Sequence, residues 1–247
     1  GQNFRYLTWQ ASPKLRPLFK ENDRRKVGFV PARLSDLYRI VRRGGPISPD
    51  VAVVQTSLPQ ADGSVSLGIS VGPYPQYIQE ASIVIAEMNP NMPVTAGRAR
   101  VPLDRITYGY EAAHPLAQYD TGEPESRDEK IIEHVLGLIP EGAWVQFGIG
   151  AVPDRVLKRL CDIPEVNLFS GMLSRSLVDF LEGARHSPKV VNGELAGDPR
   201  LYEYCNGNAR IEMVGLDVTH NPQALGQLPR FVSINSSVEI DLMGQSN

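Results

Sequence analysis

Only two cysteines, Cys161 and Cys205, occur in 247 residues, too few for the disulfide framework of a small secreted domain. One bridge between them is conceivable, but two isolated thiols in a chain without an export signal read better as reduced, cytosolic residues. Also absent is any apolar run long enough to cross a bilayer, and Gly1 to Gln10 lacks the apolar centre of a signal peptide. The expectation is a cytoplasmic chain with no membrane partner. Neither sign of charge is in surplus: the net charge is −3, with both signs interspersed, which excludes the basic footprint of a nucleic-acid binder. His114, His134, His186 and His220 are scattered without metal-ligand spacing, so no metal is expected. Internal repeats, low-complexity tracts and coiled-coil patterning are missing as well.

What is present is globular composition, 42% hydrophobic and 21% charged. The 20 prolines and 22 glycines punctuate the chain into short strands and turns. Val51 to Thr56 is a continuous apolar run of the kind that forms a strand buried on both faces. Asp62-Gly63 centres a turn, and Ser64 to Ser70 reads as a second strand. A brief helix over Gln76 to Ala81 leads into a strand over Ile83 to Ala86, after which the prolines of Asn89 to Pro93 impose irregular backbone. The polar, turn-rich stretch after Glu111 suggests a linker over 119–127, separating a first domain (1–118) from a second (128–247). Ile131, Ile132, Val135 and Leu138 have helical spacing over Asp128 to Leu138. Ala143 to Phe147 then reads as a buried strand and Pro153 to Leu160 as a helix with proline at its start. Further strands are expected at Asn167 to Phe169, Lys189 to Val191, Ile211 to Val214 and Phe231 to Ile234. Alternating strands and helices of this length imply an α/β fold with mostly parallel sheets.

Three segments could carry chemistry. In Gln146-Phe-Gly-Ile-Gly-Ala-Val-Pro153, two glycines between a strand and a helix let a ligand approach the backbone, with amides and a helix N-terminus facing it. A dinucleotide fingerprint would need a third glycine where Pro153 stands and an acid about 20 residues on; both are missing. The pattern alone equally fits a tight strand-to-helix turn and nothing more. Gly68-Ile-Ser-Val-Gly72 matches the G-x-S-x-G elbow of serine hydrolases, with Asp217 and His220 following in the order those enzymes use. Yet Gly72-Pro-Tyr-Pro75 delays the helix that an elbow needs directly after its serine, so a serine esterase at Ser70 is disfavoured. In the third segment, Asn235 to Gly244, Glu239 and Asp241 are two apart and would share a face of an extended chain. Spacing alone favours a solvated acidic face, and no third acid or histidine lies near enough to complete a metal site.

These segments together resemble the acetyl-CoA hydrolase/transferase family, which includes 4-hydroxybutyrate and succinyl-CoA:acetate CoA-transferases. The resemblance rests on SLPQADGSVSLGISV (Ser57 to Val71), IAEMNPNMPVTAG (Ile85 to Gly97), VQFGIGAVPDRVL (Val145 to Leu157) and FVSINSSVEIDLMGQSN (Phe231 to Asn247). It implies two related α/β domains with the active site between them. It also implies that Glu239, in Ser236-Ser-Val-Glu239-Ile-Asp241, is a covalent nucleophile, with Asn235, Ser236, Asp241 and Gly244 around it. Gln146, Gly148, Ile149 and Gly150 would form the CoA and oxyanion pocket, and Ser66, Gly68, Ser70, Asn89 and Met92 its wall. No permanently bound cofactor is implied. The substrates would be an acyl-CoA and a short-chain carboxylate, with hydrolysis of the same thioester, or CoA binding without catalysis, as alternatives. Family members begin earlier and continue past this glutamate through a second glycine-rich loop. The expectation is therefore a fragment, a homo-oligomer, or a partner chain that supplies the C-terminal part.

Overall fold

The computed structural model describes residues 5–10, 15–20, 27–237 and 239–246. The first half contains β1 (Tyr6–Thr8), α1 (Arg16–Lys20), β2 (Val27–Phe29), α2 (Leu34–Ile40), β3 (Val51–Thr56), β4 (Ser64–Ser66), α3 (Tyr74–Glu80), β5 (Ile83–Met88), β6 (Ala96–Gly97), β7 (Arg100–Pro102) and β8 (Tyr108–Glu111). The second half contains α4 (Asp128–Gly137), β9 (Trp144–Phe147), α5 (Ala151–Arg159), β10 (Asn167–Ser174), α6 (Ser176–Gly183), β11 (Val190–Ala196), α7 (Pro199–Cys205), β12 (Ile211–Met213), α8 (Leu216–Thr219), α9 (Pro222–Gly226) and β13 (Phe231–Ile234).

A six-stranded sheet, in the order β13-β9-β10-β11-β12-β6, is parallel throughout. A three-stranded parallel sheet, β3-β5-β8, lies in the first half, and β4 and β7 form an antiparallel pair. Parallel neighbours need crossovers, which α5, α6 and α7 supply between successive strands. The α/β class and the parallel sheets agree with the sequence-based expectation.

The large sheet also takes in residues from the first half. Ala96 and Gly97 pair with Glu212 and Met213, and Ile69 to Gly72 lie along β11: the Leu195 amide donates to the Ile69 carbonyl at 2.8 Å, and the Val71 amide to that of Gly193 at 3.1 Å. Buried residues from both halves form one continuous cluster, including Val54, Val84, Ala86, Val145, Val156, Leu157, Leu168, Leu177 and Phe180. Each Val, Leu or Phe side chain among them contributes about 1.5–3 kcal/mol on burial.

Two differences from the sequence reading have clear causes. β3 has the expected bounds but is buried on one face only: Ala52, Val54 and Thr56 are buried while Val53 is 63% exposed. The continuous apolar run does not reveal that side chains alternate between a covered and an open face. The strand expected over Ser64 to Ser70 ends at Ser66. Gly68 turns the chain with φ +61, and Ser70 then pairs with Glu194 of a different sheet. α3 begins at Tyr74 with Pro75 in its first turn, where a missing amide costs nothing. Cys205 is buried and Cys161 half-buried, and both are free thiols.

Candidate functional site

In an open parallel sheet, ligands bind beyond the carboxyl ends of the strands, where the strand order reverses. Here the order steps from β9 through β10, β11 and β12, while β13 returns to the other side of β9. The reversal therefore lies at β9, whose carboxyl end runs into Gly148-Ile-Gly150, with Asn235 and Ser236 following the parallel neighbour β13.

At this point the structure brings together Gln146, Gly148, Gly150, Asn235 and Ser236. The Gln146 Oε1 accepts from Asn235 Nδ2 at 3.1 Å and from the Ser233 hydroxyl. Asn235 Nδ2 also donates to Ser233 Oγ at 2.8 Å. A side chain at Gly148 would meet Asn235 Oδ1 at 2.6 Å, so a glycine is needed for this close approach. Gly150 has φ +137, a conformation suited to glycine, and precedes α5; its carbonyl accepts from the Asp154 amide at 3.1 Å. The Gly148 amide donates to the Ile234 carbonyl at 2.7 Å, which corrects the expectation that it faces a ligand. Among the described residues, no hydrogen bond takes the amides of Ile149 and Gly150. The Ile149 side chain is exposed.

One turn further, Asp154 fixes the start of α5. Its carboxylate accepts from the Ser176 hydroxyl at 2.8 Å and from that of Ser174, tying the helix to the β10–α6 turn.

Glu239 lies on the exposed segment beyond β13, and its carbonyl accepts from Ser237 Oγ at 2.6 Å. Asp241 closes a turn: its Oδ1 accepts from the amides of Met243 and Gln245, both at 2.9 Å, and Gly244 occupies the left-handed position with φ +81. A carboxylate accepting from amides two and four residues on turns the chain back, and Ile240 pairs with Ser246.

The first-half residues sit in other surroundings. Ser66 is fully buried, its hydroxyl accepting from the amides of Gly68 and Thr95 at 3.1 and 3.2 Å. Gly68 packs against Met92. Asn89 is buried and donates to the His114 carbonyl at 2.9 Å. Met92 lines a groove of about 410 Å³ with Leu116, Tyr202 and Asn206. Ser70 lies beside Glu194, with which it pairs as an isolated antiparallel bridge. Burial pushes the Glu194 carboxyl above its ordinary value, against the opposing pull of the nearby Ser70 hydroxyl. Burial, then the nearby Glu194, pushes the Tyr74 phenol up.

No hydrolase triad is assembled. Asp217 faces Arg98 at 3.7 Å, His220 bonds Thr219 at 2.9 Å, and neither is hydrogen-bonded to Ser70.

The sequence reading missed Ser233, the central partner of Gln146, and the mid-strand glycines Gly171 and Gly193. Glycine within a strand often marks a close backbone approach, and that signal was present in Ser170-Gly-Met and Asn192-Gly-Glu.

Two family models match: the acetyl-CoA hydrolase/transferase N-terminal domain over residues 3–112 and the corresponding C-terminal domain over residues 197–247. The 4-hydroxybutyrate coenzyme A transferase of Clostridium kluyveri is 35% identical over 204 residues, covering 79% of this chain and 48% of that protein. The succinyl-CoA:cyclohexane-1-carboxylate CoA transferase of Geobacter metallireducens is 31% identical, covering 88% of this chain and 51% of that protein. The chain thus spans about half the length of these curated relatives. Among solved structures, a 4-hydroxybutyrate CoA-transferase from Porphyromonas gingivalis superposes with a TM-score of 0.83 at 28% identity, covering 99% of this chain and 65% of that one. RipA from Yersinia pestis gives 0.91 at 23% identity over 98% of this chain and 59% of that one, a likeness of fold. Motif order, sheet topology and both family models lead to one assignment: the chain belongs to the acetyl-CoA hydrolase/transferase family.

Proposed function

We propose that this chain forms the thioester-handling part of an enzyme that transfers CoA between an acyl-CoA and a free short-chain carboxylic acid. The observation that carries this reading is the convergence of Gln146, Gly148, Gly150 and Asn235 where the strand order reverses, in a chain of this family. The amides of Ile149 and Gly150 are the donors available to a tetrahedral oxyanion. Groups in this role stabilise charge that develops only in the transition state, and losing one typically costs about 10²–10³ in rate.

The nucleophile in this proposal is Glu239. Its carboxylate attacks the thioester carbonyl to give a mixed anhydride and CoA thiolate. The thiolate then attacks the glutamyl carbonyl, leaving a glutamyl-CoA thioester and releasing the first acid. A second carboxylate reverses these steps, a ping-pong sequence. Because Glu239 is exposed, the incoming acyl-CoA, or further polypeptide added along the edge strand β13, must enclose it. Among the described residues β13 pairs on one side, with β9. Such polypeptide could come from the remainder of a longer chain, a second copy or a separate subunit.

Incubation with acetyl-CoA followed by borohydride tests the covalent step. Reduction of a glutamyl thioester to an alcohol lowers the mass of the peptide carrying Glu239 by about 14 Da, as replacement of a carboxyl oxygen by two hydrogens requires. Trapping at another carboxylate, such as Glu194, overturns the assignment of Glu239.

A further inference from the structure

The polar stretch between the two halves crosses the carboxyl ends of the large sheet. The Tyr202 hydroxyl donates to the Ala117 carbonyl at 2.7 Å, and the Tyr119 amide to the Gly197 carbonyl at 2.9 Å. Tyr119 and Thr121 then line the same cavity as Gly148, Ile149 and Gly150. That cavity is about 10 Å³, space for one water at most and none for a thioester. Thr121 Oγ1 is buried without a hydrogen-bond partner. A buried hydroxyl left unpaired is costly, so this seat for the segment is a poor one.

The far end of the segment is held by charge. Arg155 Nη2, on α5, donates to Glu123 Oε2 at 3.1 Å, and Arg175 Nη2, in the β10–α6 turn, donates to Glu123 Oε1 at 2.9 Å. Among the described residues these are the only polar bonds from residues 120–124 to the rest of the chain. Glu123 is also the only acid there paired with either arginine. Its side chain is 71% exposed, and ion pairs of such groups are weak and screened by salt. Gly122, with φ +75, and Pro124 bracket it, so the carboxylate rides on a turn that no regular element fixes.

The place Glu123 occupies is roomier than one carboxylate needs. Arg155, Arg175 and Glu123 line a second cavity, of about 220 Å³, which shares Asp154 with the first. Its other charges are engaged elsewhere. Lys158 and Arg200 both pair with Asp179, at 3.2 and 3.0 Å, Asp154 accepts from two serine hydroxyls, and Asp198 caps α7. With Glu123 gone, four cations would face three carboxylates, and the two guanidiniums left unpaired already converge on one pair of anionic oxygens.

We propose that residues 119–123 form a strap over the candidate thioester site, and that an anionic group of the ligand releases it by replacing Glu123 between Arg155 and Arg175. The inference rests on the thioester reading of the strand ends, and goes beyond it in assigning an anion site and a gate. Both substrate classes of that reading carry such oxygens, the free acid in its carboxylate and CoA in its phosphates. Opening requires only that the anion binds the released arginines and not the latched ones. Once displaced, Tyr119 and Thr121 no longer fill the space over the glycine turn.

The test places a thiol on the strap with Thr121→Cys and reads its alkylation by mass spectrometry, at an ionic strength held constant with sodium chloride. Acetate, inorganic phosphate and CoA are added in turn, and CoA binding is measured by calorimetry. Adding Glu123→Gln should speed labelling at position 121 by about 2–10-fold without any ligand, within the range that two exposed ion pairs allow. With Glu123 in place, the releasing anion should speed it severalfold. A response to acetate identifies the carboxylate as that group; a response to phosphate and CoA but not acetate identifies the phosphates. Arg155→Gln together with Arg175→Gln should give fast labelling that no anion alters. Labelling that responds to anions without CoA binding upholds the latch and overturns the thioester reading. CoA binding with labelling indifferent to Glu123→Gln, or to every anion, overturns the latch alone. No binding and no response overturn both.

Discussion

His114 is held at both ring nitrogens, and its environment is a residue-scale device legible only in three dimensions. Gln55, Glu87 and Tyr110 face one another across β3, β5 and β8. Glu87 Oε1 accepts from Gln55 Nε2 at 2.6 Å and pairs with His114 Nε2 at 2.8 Å, while Oε2 accepts from the Tyr110 hydroxyl at 2.8 Å. These bonds, Gln55's first, hold the Glu87 carboxyl down at about 2, and the Glu87 bond, then the Pro115 carbonyl, raises His114. The lowered Glu87 contributes stability above its ordinary value of 4.5, and loses it as pH falls towards about 2. The raised His114 contributes fully below 6.5 and loses its contribution as pH rises through the folded value. A histidine NMR titration should therefore place His114 above 6.5, and Glu87→Gln should return it towards the ordinary value; an unshifted His114 in the unmodified chain would contradict the pairing. In the sequence His114 reads as one of four scattered histidines, because its side-chain partner Glu87 lies 27 residues away. Gln146, Gly148, Gly150 and Asn235 were legible because the strand-turn-helix pattern and the family motifs both mark them. Their mutual bonds, and the role of Ser233, depend on the pairing of β9 with β13.

Among the elements, β3 and β13 were legible to the residue because short apolar runs between turn formers define them. α6 was not: Leu177, Val178, Phe180 and Leu181 are all buried, so it lacks the polar stripe that reveals a surface helix. α7 did carry a signal, Asp198-Pro199, with Asp198 Oδ1 accepting from the Leu201 amide at 3.1 Å as an N-cap. The pairing of β11 with Ile69 to Gly72 was hidden because it joins segments more than 100 residues apart, and it sets Glu194 beside Ser70. A carboxyl whose folded pKa is raised stabilises least when ionised: below the ordinary 4.5 there is no penalty, and stability falls as pH rises through the folded value. Glu194→Gln should preserve the Ser70 contact and raise the melting temperature at pH 8, with the gain vanishing near pH 4. An equal effect at both pH values would show that burial of the charge is not the cause.

At the scale of the whole molecule, the two halves share one core and one sheet, since β6 pairs with β12 and the Ile69 to Gly72 segment with β11. Sequence patterning marked a turn-rich stretch near residues 119–127 but gave no hint of these pairings, which local composition cannot encode. Their consequence is that first-half segments are tied to the sheet whose strands β9 and β13 bring Gln146, Gly148 and Asn235 together. Binding of a CoA thioester at those strand ends is the central claim, and hydrogen exchange read by mass spectrometry, with and without saturating acetyl-CoA, tests its location most directly. The expected result is slowed exchange in peptides spanning residues 146–152 and 231–237, with little change in β3 and β5. Slowed exchange confined to the Met92–Tyr202 groove, or no change anywhere, would contradict it.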